Sequence, residues 1–250
     1  MVKTRPVRPL EASRAFGVTF GGSIALVAAA VASIGAVARA VLSRRRPPPL
    51  ALPGTVGTAL YALAIRPWHM RWGSEPGDER LPLPGDDQFP EDGTQILHAV
   101  TIDAPVEEVW PWLAQLGQDR GGFYSYGWLE NLAGCEMNNA DCIHPEWQQR
   151  ELGEIVHLHP AGGLRVSVFE PGRALGLEDW GTFALEPLGA DRNRLIARGR
   201  VPPGAAAVSY AALMEIPHFL MERRMLLGIK ERAERSNPTP HRGASLGAGD

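Results

Sequence analysis

Cysteine, lysine and any motif that names a reaction are what this 250-residue chain lacks. Cys135 and Cys142 are its two cysteines, with no second pair nearby, which excludes a four-ligand zinc site and a disulfide framework. They are expected to be reduced, buried thiols, bridged only if the domain faces an oxidising compartment. Lysine occurs at Lys3 and Lys230 alone. No Ser-His-Asp order, P-loop, G-x-G-x-x-G or H-E-x-x-H occurs, so the sequence names no nucleophile and implies no cofactor. His144, His157 and His159 lack a ligand spacing and an acid among them, so no metal site is expected.

Charge is present but unevenly placed. The first 46 residues hold Lys3, Arg5, Arg8, Arg14, Arg39, Arg44, Arg45 and Arg46 against Glu11 alone, so the remainder is more acidic than the net charge of −3 suggests. An acidic body without a zinc-finger or RNA-binding pattern excludes nucleic acid as a partner. From Ala15 to Ala38 no residue is charged, and about 20 such residues cross a hydrocarbon core. This run is therefore expected to be a transmembrane helix, with the dense Arg44-Arg45-Arg46 cluster favouring a cytoplasmic body. The run is too long for a cleaved signal peptide.

Residues 47–94 divide in two. After Pro47-Pro48-Pro49, the apolar run from Gly54 to Ile65 is too short to span a bilayer, and is expected to lie at a membrane surface or against the body. Ser74 to Thr94 is acidic and rich in proline and glycine, which is linker chemistry. Deleting residues 1–73 is accordingly expected to leave a folded body over residues 95–236. Residues 237–250 form a polar, Gly- and Pro-containing tail.

The body is organised around Thr101–Gly134. A strand over Gln95–Ile102 leads to Asp103, placed as a helix N-cap, with Pro105 in the first turn and Glu107 and Glu108 at the positive end of the dipole. Val106, Val109, Trp110 and Leu113 form one helical face, Pro111 implies a kink or a late start, and Gly117 is a stop. A polar Gly-bearing loop, Gln118 to Gly122, precedes a second short helix from about Ser125 to Ala133. Five strands then follow at short intervals, Ile155–His159, Leu164–Glu170, Ala174–Trp180, Thr182–Glu186 and Arg194–Val201. Their tight turns force antiparallel neighbours. A last helix runs from Ala205 to about Arg235, bent at Pro217. On it Met214, His218, Met221 and Met225 share a stripe that suits either plain core packing or the wall of a cavity.

This order of elements, with Ile102-Asp103-Ala104-Pro105, Val109-Trp110, the run Gly117 to Tyr126 and Trp128-Leu129-Glu130-Asn131-Leu132, resembles the START-like, Bet v 1-like helix-grip superfamily. The likeness is nearest to its bacterial polyketide cyclase/dehydrase and lipid-transport group, and covers roughly Gln95 to Glu234. It implies an α+β fold in which a curved antiparallel sheet wraps a long C-terminal helix and leaves room for an apolar small molecule or lipid. The candidate ligand-binding residues are Asp119, Arg120, Phe123, Tyr124, Tyr126, Trp128, Met214, His218, Met221 and Met225. Asp119 and Arg120 either close the mouth of a cavity or pair locally to fix the loop. Glu130, Asn131, Asn138, Asn139 and Asp141 suit helix caps or loop bonds as well as chemistry. His218, with Glu215 a turn away, is the best acid/base candidate, joined by Tyr124 and Tyr126. Three functions stay open: a membrane-anchored binding protein, a polyketide-cyclase-like enzyme and an interaction module with a vestigial pocket.

Overall fold

The computed structural model describes residues 46–236, with Ala29, residues 32–33 and residues 35–44 before them. Most of the uncharged run 15–38 and the whole tail 237–250 lie outside the described residues. Among those described, no helix is long and apolar enough to cross a membrane.

Helix α1 is a composite rod, α-helical over Ala51–Leu60, π-helical over Tyr61–Ile65 and α-helical again over Arg66–Met70. The π turn has a local cause. Pro67 has no N–H to give Leu63 and its ring crowds that carbonyl, so the Arg66 N–H reaches back to Tyr61 O instead. The last helix, α4, repeats the device. It is α-helical over Ala205–Ser209, π-helical over Tyr210–Met214 and α-helical over Glu215–Ser236, with the Glu215 N–H on Tyr210 O just ahead of Pro217. The bend expected at Pro217 is thus taken up as a wide turn before it.

Six strands, β1 Thr94–Ile102, β2 Ile155–His159, β3 Gly162–Glu170, β4 Ala174–Leu177, β5 Gly181–Pro187 and β6 Asn193–Val201, form one antiparallel sheet in the order β1-β6-β5-β4-β3-β2. Register shifts in the β2–β3 and β3–β4 pairs bend that edge. Two short helices, α2 Val106–Ala114 and α3 Gly127–Leu132, lie between β1 and β2. The result is an α+β fold in which the curved antiparallel sheet turns its inner face toward the long C-terminal helix α4. Ile102, Val156, Val166, Leu175, Leu185 and Leu195 from the sheet share a buried core with Leu113 of α2 and Met225, Leu226 and Ile229 of α4.

Two local expectations change. Asp103 does not cap α2, which starts at Val106 behind Pro105. Its carboxylate instead accepts from Arg192 at 2.9 Å, and its N–H donates to Glu234. Pro111 neither delays nor ends α2 and sits inside it.

Residues 74–93 were expected to form a linker, but they cover the sheet's outer face. Leu83 is buried there with Leu97, Ala99, Val168, Ala184 and Ile196. The acids answer arginines of β6: Asp78 accepts from Arg194 at 2.7 Å and Asp86 from Arg198 at 2.7 Å. Composition alone reads as solvated chain because the partners are a hundred residues away.

The loop after α2 is held by close approach. Tyr124 takes a positive φ of 55°, and a Cβ on Gly228 of α4 would lie 2.3 Å from the Tyr124 carbonyl oxygen. Gly228→Ala would gain about 1 kcal/mol of helix propensity yet is expected to lower stability by a net of about 2 kcal/mol, since backbone must move. Chemical denaturation of the variant checks this, and an unchanged midpoint would mean the loop yields freely.

Candidate functional site

Between the concave sheet face, α3 and α4 lies a cavity of about 1080 Å³. Its walls are mostly apolar, among them Phe123, Leu129, Met137, Leu158 and Leu164 beside the α4 methionines Met214, Met221 and Met225. Flexible thioethers suit a wall that must fit a guest of irregular outline. The side chains do not fill the space because α4 is held off the sheet by large groups, Phe123 packing on Trp180 and Trp180 on both Phe183 and His218.

One wall is polar. Glu222 of α4 is 3% exposed and accepts three hydrogen bonds. Trp180 Nε1–H donates at 2.8 Å and His218 Nε2–H at 3.2 Å to one oxygen, while His98 Nδ1 meets the other. Burial alone would raise the Glu222 carboxyl, but His218 and His98 overcome it and hold the group well below the carboxylate range. The other nitrogen of His98 faces the His69 carbonyl at 2.8 Å, so the ring is held from both sides. His218 Nδ1 meets the Tyr210 hydroxyl at 2.7 Å. Burial first, then the negative charges of Glu222 and Glu215, push the Tyr210 phenol up, so it remains a donor.

Tyr210, His218 and Glu222 all line the cavity, so the chain of bonds Tyr210–His218–Glu222 ends at a guest. A guest oxygen placed at Tyr210 would find a hydroxyl that can donate, backed by an imidazole that can exchange the proton and a carboxylate that fixes the ring. The i, i+4 spacing of His218 and Glu222 puts them on one face of α4, a signal present in the sequence; Trp180, Tyr210 and His98 carried none.

The acid expected beside His218 serves elsewhere. Glu215 turns away toward α1, where Arg66 binds both its oxygens at 2.9–3.0 Å and Tyr61 donates at 2.9 Å. Burial opposes ionisation of Glu215, yet bonds from His69, Arg66 and Tyr61 lower it to about 2. This cluster fastens α1 to α4.

Of the other residues singled out from sequence, Phe123, Met214, His218, Met221 and Met225 line the cavity. Tyr124 does not. It is buried in the core with its hydroxyl donating to Trp112 O at 3.0 Å and Arg232 over its ring at 4.7 Å, which fixes the loop and leaves no hydroxyl for a guest. Tyr126 caps the start of α3 outside the lining, and Trp128 is 69% exposed. Asp119 pairs with His157 at 3.2 Å on the surface, and Arg120 binds Glu154 at 2.8 Å and the carbonyls of Trp147 and Gln149. They brace the loop rather than close the cavity. Asn131 and Asn139 hold it from within, through Met137 and through Ser125 and Tyr124. Both cysteines are unbridged; Cys135 lines the cavity and Cys142 is exposed rather than buried.

No protein-family model and no curated protein matches the chain. Among solved structures it is similar to the solution structure of a polyketide-cyclase-like protein from Corynebacterium glutamicum, at 17% identity and a TM-score of 0.33, with 62% of this chain covering 100% of that one.

Proposed function

We propose that this helix-grip domain binds a largely apolar small molecule in the cavity between its sheet and α4, with one polar atom of the guest at Tyr210 and His218. The observation that carries the reading is the unfilled volume of about 1080 Å³ walled by apolar side chains and three methionines. A space of this size falls in the range of small-molecule sites, and a few convergent polar groups in an apolar wall are what orient such a guest.

The same reading includes a membrane anchor through residues 15–38 and a body on the cytoplasmic side, in keeping with Arg44-Arg45-Arg46. It is supported by exposed apolar side chains on α1 and α4. Leu52, Val56, Leu60, Leu63 and Trp68 of α1 are exposed, as are Val208 and Leu220 of α4. Met214 of α4 both lines the cavity and stands 43% exposed. A lipid or another membrane-dissolved molecule has an apolar route to the interior there.

Native mass spectrometry of the full chain, released from detergent, tests the binding reading. The wild type is expected to carry an apolar guest whose share falls in Met221→Trp, which pushes a bulky ring into the cavity, while the variant melts within a few degrees of wild type. Equal guest content in both proteins would remove the cavity from the reading.

A second reading rests on the Tyr210–His218–Glu222 chain. In an enzyme resembling the polyketide cyclases, His218 would move a proton at a guest held in place by the walls. His218→Ala then abolishes turnover and leaves the guest bound, whereas a binding protein keeps its guest and has no turnover to lose.

A further inference from the structure

The α3 side of the cavity holds a group that neither reading uses. Glu130 lines the cavity beside Leu129, Cys135 and Met137, and its Oε2 is shut off from solvent with no hydrogen-bond partner among the described residues. Its neighbours are committed elsewhere. Asn131 is bound to both the N–H and the carbonyl of Met137, and the Asn139 amide donates to the Ser125 carbonyl. Cys135 donates its thiol to Leu158 O at 3.3 Å. Glu222, the other buried acid of the cavity, has three donors of its own. A buried polar atom without a partner lacks a bond worth forming, and here it lies on the wall of an empty space.

We propose that Glu130 is a second polar contact of the cavity, and that its guest is a neutral apolar molecule presenting a carbonyl or hydroxyl oxygen to the unpartnered Glu130 carboxyl oxygen. The proposal rests on the binding reading above and specifies its ligand class. A neutral guest fits better than an amine, because bringing a cation into an apolar space costs its hydration. The groups facing Glu130 impose no opposing charge. From the segment after α3 comes the Cys135 thiol, itself raised by burial and by Glu130. From β2 comes His159 at the cavity edge, and from α4 come Met221 and Met225. Burial pushes the Glu130 carboxyl up to about 7, so near neutral pH a large share is an O–H donor.

Benzophenone is a suitable probe, being neutral, apolar and ketone-bearing, and able on irradiation to label nearby C–H bonds. The full chain in detergent would be photolabelled at pH 6 and pH 8 and the adducts mapped, with diphenylmethane, which lacks the oxygen, as competitor. The expected result is adducts on cavity residues such as Met137 and Met221, with half-labelling at about tenfold higher probe concentration at pH 8, as the donor form is depleted. Diphenylmethane should compete equally at both pH values. Glu130→Gln keeps a donor and is expected to label as at pH 6 throughout. Glu130→Leu keeps the packing without the donor and is expected to label as wild type does at pH 8, throughout. A pH profile that persists in Glu130→Gln and Glu130→Leu would assign it to His159 or His218 and overturn this inference while leaving the binding reading intact. No cavity adduct at either pH would remove both.

Discussion

Glu222→Ala is expected to lower stability by about 4 kcal/mol, a fall in Tm of roughly 10 °C for a domain of this size. The cost lies in what the carboxylate leaves behind. His98 is 1% exposed and would keep the His69 carbonyl on one nitrogen and a void on the other. His218 would keep Tyr210 alone, and the Trp180 N–H would lose its acceptor. Breaking a buried charged cluster by removing one member leaves the others desolvated and unpaired, and that penalty exceeds what the intact cluster contributes. Glu222→Gln keeps the volume but offers one acceptor oxygen and one amide where three donors converge, so a smaller loss of about 2 kcal/mol is expected. The direction with pH follows from the lowered Glu222 carboxyl. A depressed carboxylate contributes fully above its ordinary value of 4.5 and loses that contribution as pH falls below it. Wild type and Glu222→Ala should therefore differ most near neutrality and draw together in acid. Thermal melts followed by near-ultraviolet circular dichroism measure the gap, and a variant melting with wild type at pH 7 would sink the account.

Two truncations should behave very differently. A chain beginning at residue 47 is expected to fold, and one beginning at residue 74 is expected to show no cooperative melt. The second lacks Arg66, Tyr61 and His69, so Glu215 loses its donors on α1 together with the cover that α1 gives it. It also lacks the His69 carbonyl for His98, the Trp72 carbonyl for the Ala99 N–H and the Gly73 carbonyl for Arg194. The lost bonds and the exposure of apolar side chains that α1 covers, Phe219 under Trp68 among them, together cost several kcal/mol, and domains hold only about 5 to 15 in total. We propose on this ground that the folded unit begins in α1, ahead of the boundary at Gln95 drawn from composition. A fragment from residue 74 that melts cooperatively within a few degrees of the longer one would restore that boundary.

The strands were legible because alternation survives in them. In β3 the alternation holds from Leu164 to Val166 on the inner face, after which a register shift sends Val168 to the outer face under Leu83, and the observed strand starts earlier, at Gly162. β1 was harder, since Leu97 and Ala99 are as buried as Ile96 and Ile102. Its outer face is covered by residues 74–93, and a strand packed on both sides has no polar side to show. The Met214, His218, Met221, Met225 stripe was legible for the opposite reason, because α4 has one face on the cavity and the helical period records it. Tyr124 misled because a tyrosine in a glycine-rich loop looks available, whereas its positive φ and the bare Gly228 surface draw it into the core.

Chain order alone determined the α+β class, the six strands, the long closing helix and the face of that helix that meets the cavity. Those are local quantities, carried by spacing along a few turns or a few residues of strand. Which partner Glu215 takes and what the acidic stretch before β1 covers were decided only on folding. Each depends on pairing groups a hundred or more residues apart, as with Arg66 and Glu215 or Asp78 and Arg194, and a charge in sequence does not say which opposite charge it will meet.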